Sequence, residues 1–130
     1  MDSSNFDEAL QKAIKKTQKL QSCKVYELNF TIHYDTQFGE KIVITGDQDF
    51  LGNWDVFKGL ELEWNPNNIW KVSIPISEGE LKDFEYKYVC LRPTGTFKWE
   101  EGLNRKFKVQ EGTQAGCKVL FDKQDVWQKL

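Results

Sequence analysis

The chain is 130 residues long, enough for one domain with a buried core but short for an enzyme built around a deep cleft. Eighteen basic against twenty acidic side chains leave a net charge of -2, so no broad positive field exists to attract phosphate backbones or anionic lipid. Nucleic acid and membrane are therefore not expected as partners. No run of about 18 apolar residues occurs, and the charged opening MDSSNFDEALQKAIKK has no apolar signal-peptide stretch, which predicts a cytoplasmic chain.

Cys23, Cys90 and Cys117 form no CxxC pair and His33 is the sole histidine, so the usual structural zinc patterns are absent and neither metal nor cofactor is expected. Three thiols in a reducing compartment and a Cys23–Cys117 pair both remain open. Aromatic residues make up 14% of the chain, including five Trp, against a mean hydropathy of -0.62. Some of that ring area must reach the surface, where it marks a binding site.

In chain order, residues 6–20 place Phe6, Leu10, Ala13, Ile14, Thr17 and Leu20 on one stripe, predicting an amphipathic helix that Asn5 and Glu8 start as a capping box. Lys12, Lys15, Lys16 and Lys19 form its solvated face. Residues 1–23 thus read as a helical extension and 24–130 as a β domain. From Tyr26 to Tyr34 apolar and polar residues alternate strictly, a strand with one buried face and His33 on the other. Further strands are predicted at 41–45, 70–75, 84–91, 97–99, 105–109 and 118–121, separated by Gly-, Asn- and Pro-bearing turns such as Asn65-Pro66-Asn67-Asn68. About seven short strands of this kind indicate an all-β, antiparallel β-sandwich.

Trp54 lies in the loop Leu51-Gly52-Asn53-Trp54-Asp55, a setting that predicts at least half exposure. In Phe84-Glu85-Tyr86-Lys87-Tyr88-Val89 the alternation turns Lys87 outward. Trp99 ends a strand in Phe97-Lys98-Trp99-Glu100 and is followed by Asn104-Arg105-Lys106-Phe107. These three segments, in this order and spacing, resemble the starch-binding domain of carbohydrate-binding module family 20 over residues 25–122. The resemblance implies an immunoglobulin-like β-sandwich without catalytic activity that binds starch or glycogen at up to two sites. It places Trp54, Lys87, Trp99, Glu100 and Asn104 at the first site.

The chemistry of those residues suits that role. A glucose ring has an apolar C–H face and a rim of hydroxyls. Trp54 and Trp99 supply flat apolar area with few rotors to freeze, Lys87 three donors, Asn104 a donor and an acceptor, and Glu100 an acceptor. Two rings at an angle match the curved α-1,4 chain of starch, amylopectin, glycogen or a cyclodextrin rather than flat cellulose. Trp70, on an inward-alternating strand, is expected in the core, and Trp127 is undecided. For a second site the family's pattern falls on Phe38, a ring without the phenolic hydroxyl, and on Trp64, for which packing under the neighbouring turn is an equal alternative.

No catalytic residue is assigned. Adjacent Glu100 and Glu101 point to opposite sides of an extended segment and cannot flank one glycosidic bond, and His33 lies outward without a partner. The chain is read as a non-catalytic module. Two other readings stay open: the targeting part of a glucan-acting hydrolase, glucanotransferase or glucan phosphatase, and an adaptor whose N-terminal helix docks a protein partner or a second copy.

Overall fold

The computed structural model describes residues 25–129. The helix expected over 6–20, the boundary at residue 23 and Cys23 itself lie outside the described residues. The period-two run becomes β1 (Val25–His33), which buries Tyr26, Leu28, Phe30 and Ile32 and leaves His33 exposed. β1 sits in the middle of a five-stranded sheet. On one side lies β5 (Ile69–Ile76) with the edge strand β4 (Glu63–Asn65); on the other lies β10 (Lys118–Val126) with the edge strand β9 (Thr113–Ala115).

The second sheet is ordered β3 (Leu60–Glu61), β2 (Lys41–Gly46), β6 (Phe84–Leu91) and β7 (Phe97–Trp99), with β8 (Arg105–Phe107) pairing to the other end of β6. Between the sheets, Phe30 lies 5.0 Å from the ring of Tyr86, 6.3 Å from Phe84 and 6.2 Å from Phe107. Ile42, Ile44, Tyr88 and Cys90 complete the second sheet's contribution to the core. Trp70 is buried as its alternation predicts. Trp127 is buried too, its ring 4.1 Å from Tyr34.

The all-β, two-sheet architecture agrees with the sequence, and three details differ. Ten strands are present among the described residues, because β3, β4 and β9 are only two or three residues long and too short to show a period. The sandwich is not wholly antiparallel: β1 pairs with β10 in parallel, Tyr26 opposite Val119 through His33 opposite Val126. A parallel pair needs a long crossover, and here everything between the two strands supplies it. β10 also runs five residues past the predicted 121, since its second half carries Asp122, Lys123 and Asp125 and hides the alternation.

Phe30→Ala should remove the ring at the centre of this core and lower stability by about 3–5 kcal/mol, read as an earlier denaturant midpoint with an unchanged slope. A loss under about 1 kcal/mol would place the centre of the core elsewhere.

Candidate carbohydrate-binding site

β6 sends Phe84, Tyr86, Tyr88 and Cys90 into the core, so Glu85, Lys87, Val89 and Leu91 face outward. Strand register arranges that outer face in rows: Thr45 beside Lys87, then Val43, Val89 and Trp99, then Lys41, Leu91 and Phe97. Val43, Val56 and Val89 are buried yet belong to no part of the inter-sheet core. They form a thin second apolar layer beneath the loop that follows β2. Buried Thr45 fastens that loop, its Oγ1 donating to the Leu51 carbonyl at 2.7 Å. At Gly59 the loop lies so close that a Cβ would sit 2.6 Å from Val43 Cγ1.

Trp54 owes its position to three successive left-handed residues: Gly52 at φ 79°, Asn53 at φ 51° and Trp54 itself at φ 68°. Gly52 is required twice over, because a Cβ there would also meet the Lys58 carbonyl carbon at 2.5 Å. The Asn53 amide donates to Asp49 at 2.7 Å, and the turn brings the Trp54 N–H to the Gly46 carbonyl at 2.8 Å. Folding back in this way leaves Trp54 only partly exposed, which corrects the expectation of half exposure or more. Trp99, at the end of β7, is 39% exposed.

Lys87 donates one N–H to the Gly102 carbonyl at 2.6 Å, which leaves two of its three donors uncommitted by that bond. Asn104 donates to Glu85 at 3.4 Å, beside Lys87 on the same outer face. Lys87 and Trp99 thus stand on the outer face of the second sheet, Asn104 is tied to Glu85 on that face, and Trp54 is anchored through its backbone to Gly46 at the end of β2. Glu85 and the Gly102 carbonyl, which hold the polar members, carry no local sequence signal and were visible only in the fold.

Glu100 departs from its expected part as an outward acceptor. It is 1% exposed, and both carboxylate oxygens are occupied by protein donors. Arg105 Nε reaches them at 3.0 and 3.1 Å, the Gln128 amide at 2.8 Å and the Tyr88 amide at 3.4 Å, with a further bond from Arg105 Nη2. Arg105 continues to Asp125 at 3.2 Å and sits 5.5 Å from the centre of the Tyr88 ring. Asp125 in turn accepts from the hydroxyls of Tyr86 and Tyr88, each at 2.8 Å. Burial works against the charge on Arg105, but hydrogen bonds to Glu100 and the charges of Asp125 and Glu100 hold its pKa above the ordinary value. Burial, then the Asp125 charge, pushes both phenols above theirs. Glu100 therefore fixes the chain next to Trp99 rather than meeting a ligand with its carboxylate.

Phe38 and Trp64 meet at a different place. They line a groove of about 410 Å³ with Thr36, Asn68 and Trp70, at the β4 edge of the first sheet. Phe38 is fully exposed, and Trp64 is 52% exposed rather than packed under the turn. The indole N–H of Trp64 donates to Asn68 at 3.1 Å, and Asn68, at φ 56°, is itself tied to Asp35 at 3.3 Å. Another concavity, about 460 Å³ between β8 and β10, has Lys106, Lys108, Glu111 and Asp122 on its walls, and its rings, Phe107 and Phe121, are spent in the core. It offers no flat surface to a sugar.

A two-sheet sandwich with surface tryptophans held beside fixed donors has the make-up of a carbohydrate-binding module. The family model of the starch binding domain, carbohydrate-binding module family 20, matches residues 25–119, and the chain belongs to that family. It is 33% identical to an alpha-amylase of Streptomyces violaceus over 66% of this chain and 15% of that protein. With a glucoamylase of Neurospora crassa it shares 29% identity over 77% of this chain and 16% of the relative. The chain therefore spans less than a fifth of these relatives. The crystal structure of the family 20 module from the maltotetraose-forming amylase of Pseudomonas saccharophila STB07 shares its fold, with a TM-score of 0.60 at 21% identity over 78% of this chain and 99% of that one.

Glu100→Ala should leave Arg105 half-paired in the interior and cost about 3–5 kcal/mol at neutral pH, measured by denaturant titration. A second test uses pH. The Tyr86 and Tyr88 phenols and the Cys90 thiol, pushed up to about 12 by burial and then the Glu40 charge, hold their protons more tightly folded than unfolded. Their contribution is complete below the unfolded values and drains as pH rises through about 9 for the thiol and about 10 for the phenols. Stability should fall across that range, and Tyr86→Phe with Tyr88→Phe should flatten the fall. An equally steep fall in the double variant would remove the phenols as its cause.

Proposed function

We propose that this domain is a non-catalytic module that holds α-1,4-glucan chains of the starch and glycogen type, stacking sugars on Trp54 and Trp99 while Lys87 and Asn104 read the hydroxyl rim. The observation that carries this reading is Trp99: an exposed ring on a regular strand, beside an ammonium with donors to spare, on a segment anchored by buried Glu100. A ring already fixed loses little entropy when a sugar lies on it. Phe38 and Trp64 make the second, separate site on the other sheet. The small share of the amylase and glucoamylase that this chain matches supports a targeting role beside a glucan-acting catalytic domain. The adaptor reading rests on the helical extension read over residues 1–23, and a cytoplasmic location goes with either.

Isothermal titration with β-cyclodextrin tests the sites. Trp99→Ala and Trp54→Ala should each weaken binding by on the order of thirtyfold, about 2 kcal/mol, with an unchanged melt. Lys87→Ala should cost about 1 kcal/mol, and Trp64→Ala should lower the stoichiometry rather than the affinity of the first site. The protein should sediment with insoluble starch, stay off cellulose and release no reducing sugar from soluble starch. Equal retention on starch and cellulose, or wild-type affinity in both tryptophan variants, would overturn this reading.

A further inference from the structure

The outer face of the second sheet carries more exposed ring than the two tryptophans account for. Phe57 is 81% exposed and Phe97 41%, and their rings stand edge-to-face, centroids 5.3 Å apart at 76°. Phe97 precedes Trp99 by two residues on β7, so it shares that face at a spacing of roughly 7 Å. Its row, Lys41–Leu91–Phe97, is the next beyond Val43–Val89–Trp99. Phe57 arrives from the opposite side, on the 3-10 turn Val56–Lys58 that follows Trp54. Asp55 caps that turn by accepting the Phe57 N–H at 3.0 Å, and Gly59 presses its far end onto Val43. The backbone under both rings is therefore fixed, and the rings meet one another edge to face.

We propose that Phe57 and Phe97 form an extension subsite that takes the following sugars of a glucan already seated on Trp99, so that this face favours long chains over short ones. The inference rests on the reading of Trp54 and Trp99 given above. Two aromatic edges offer apolar area to the C–H faces of a sugar. Lys41 in the Phe97 row pairs at 3.4 Å with Glu61 in the neighbouring Trp99 row, both side chains more than half exposed, which puts a donor and an acceptor where a hydroxyl rim would pass. The exposed apolar surface here rests on two phenylalanine rings, whereas a stable protein interface draws on roughly 20–30 residues a side. A polymer fixed one row away has no such requirement, because its next units arrive at high effective concentration and weak stacking suffices.

Titration with maltotriose and with maltoheptaose separates the possibilities. Phe57→Ala and Phe97→Ala should bind maltoheptaose about five- to tenfold more weakly than the wild type does, with maltotriose affinity and melting temperature unchanged. Phe57→Leu, which keeps apolar bulk without a flat ring, should behave like Phe57→Ala. An unchanged ratio between the two sugars, an equal loss for both, or a wild-type dimer that Phe57→Ala converts to monomer would overturn the proposal. Trp99→Ala is the control for its foundation: if that variant bound both sugars normally, the primary site would be wrong, whereas normal loss there with no effect at Phe57 or Phe97 would reject the extension alone.

Discussion

The guanidinium of Arg105 is the point on which the binding face depends. One cation lies between Glu100, at the end of β7, and Asp125, on β10 of the opposite sheet, while Asp125 collects two hydroxyls from β6. Buried ion pairs are a weak source of net stability, because desolvation offsets much of their attraction. What this one supplies is registry. Its Nε and Nη2 donate to Glu100 and its Nη1 side meets Asp125, and alternatives in which the segment after Trp99 slides or flips leave a buried charge unmatched. Trp99 is consequently fixed from behind, by a residue that itself stays out of solvent.

The other half of the face is built by backbone rather than charge. Three left-handed residues in succession cost conformational energy that the tertiary structure must outweigh, and the Thr45 and Gly46 bonds with the valine layer beneath the loop do so. Trp54 is thereby less free and less exposed than a loop residue usually is. The backbone that carries both rings is thereby set by bonds within the protein, so little of it remains to be ordered on contact with a partner molecule.

The sequence disclosed this design unevenly. Alternation located β1, β5 and β6, and with them the outward direction of Lys87 on β6 and the inward one of Trp70 on β5. The three motif segments named Lys87 and Trp99, which the fold sets on the outer face of the second sheet. Glu100 was misread because the residue after an exposed strand-end tryptophan looks solvent-facing, and nothing local announces that Arg105 and Asp125 will enclose it. Phe97 was within reach, since alternation alone sets it beside Trp99. Phe57 was not, because a 3-10 turn has no period that says which way a side chain points. The parallel pairing of β1 with β10 is likewise a property of the whole topology, invisible in either strand.

That parallel pairing also sets where the polypeptide enters and leaves the sandwich. Val25 lies opposite Lys118 and His33 opposite Val126, eight residue steps further on, so entry and exit are separated by roughly 26 Å along the strands. The exit passes directly beneath the binding face, where the Gln128 amide bonds to Glu100. A dye, tag or surface tether attached beyond Gln128 would therefore lie close to the segment of Trp99 and Glu100, whereas the sandwich is entered at Val25, at the opposite end of the paired strands. For the same reason a circular permutant needs a linker that spans the full length of the sandwich.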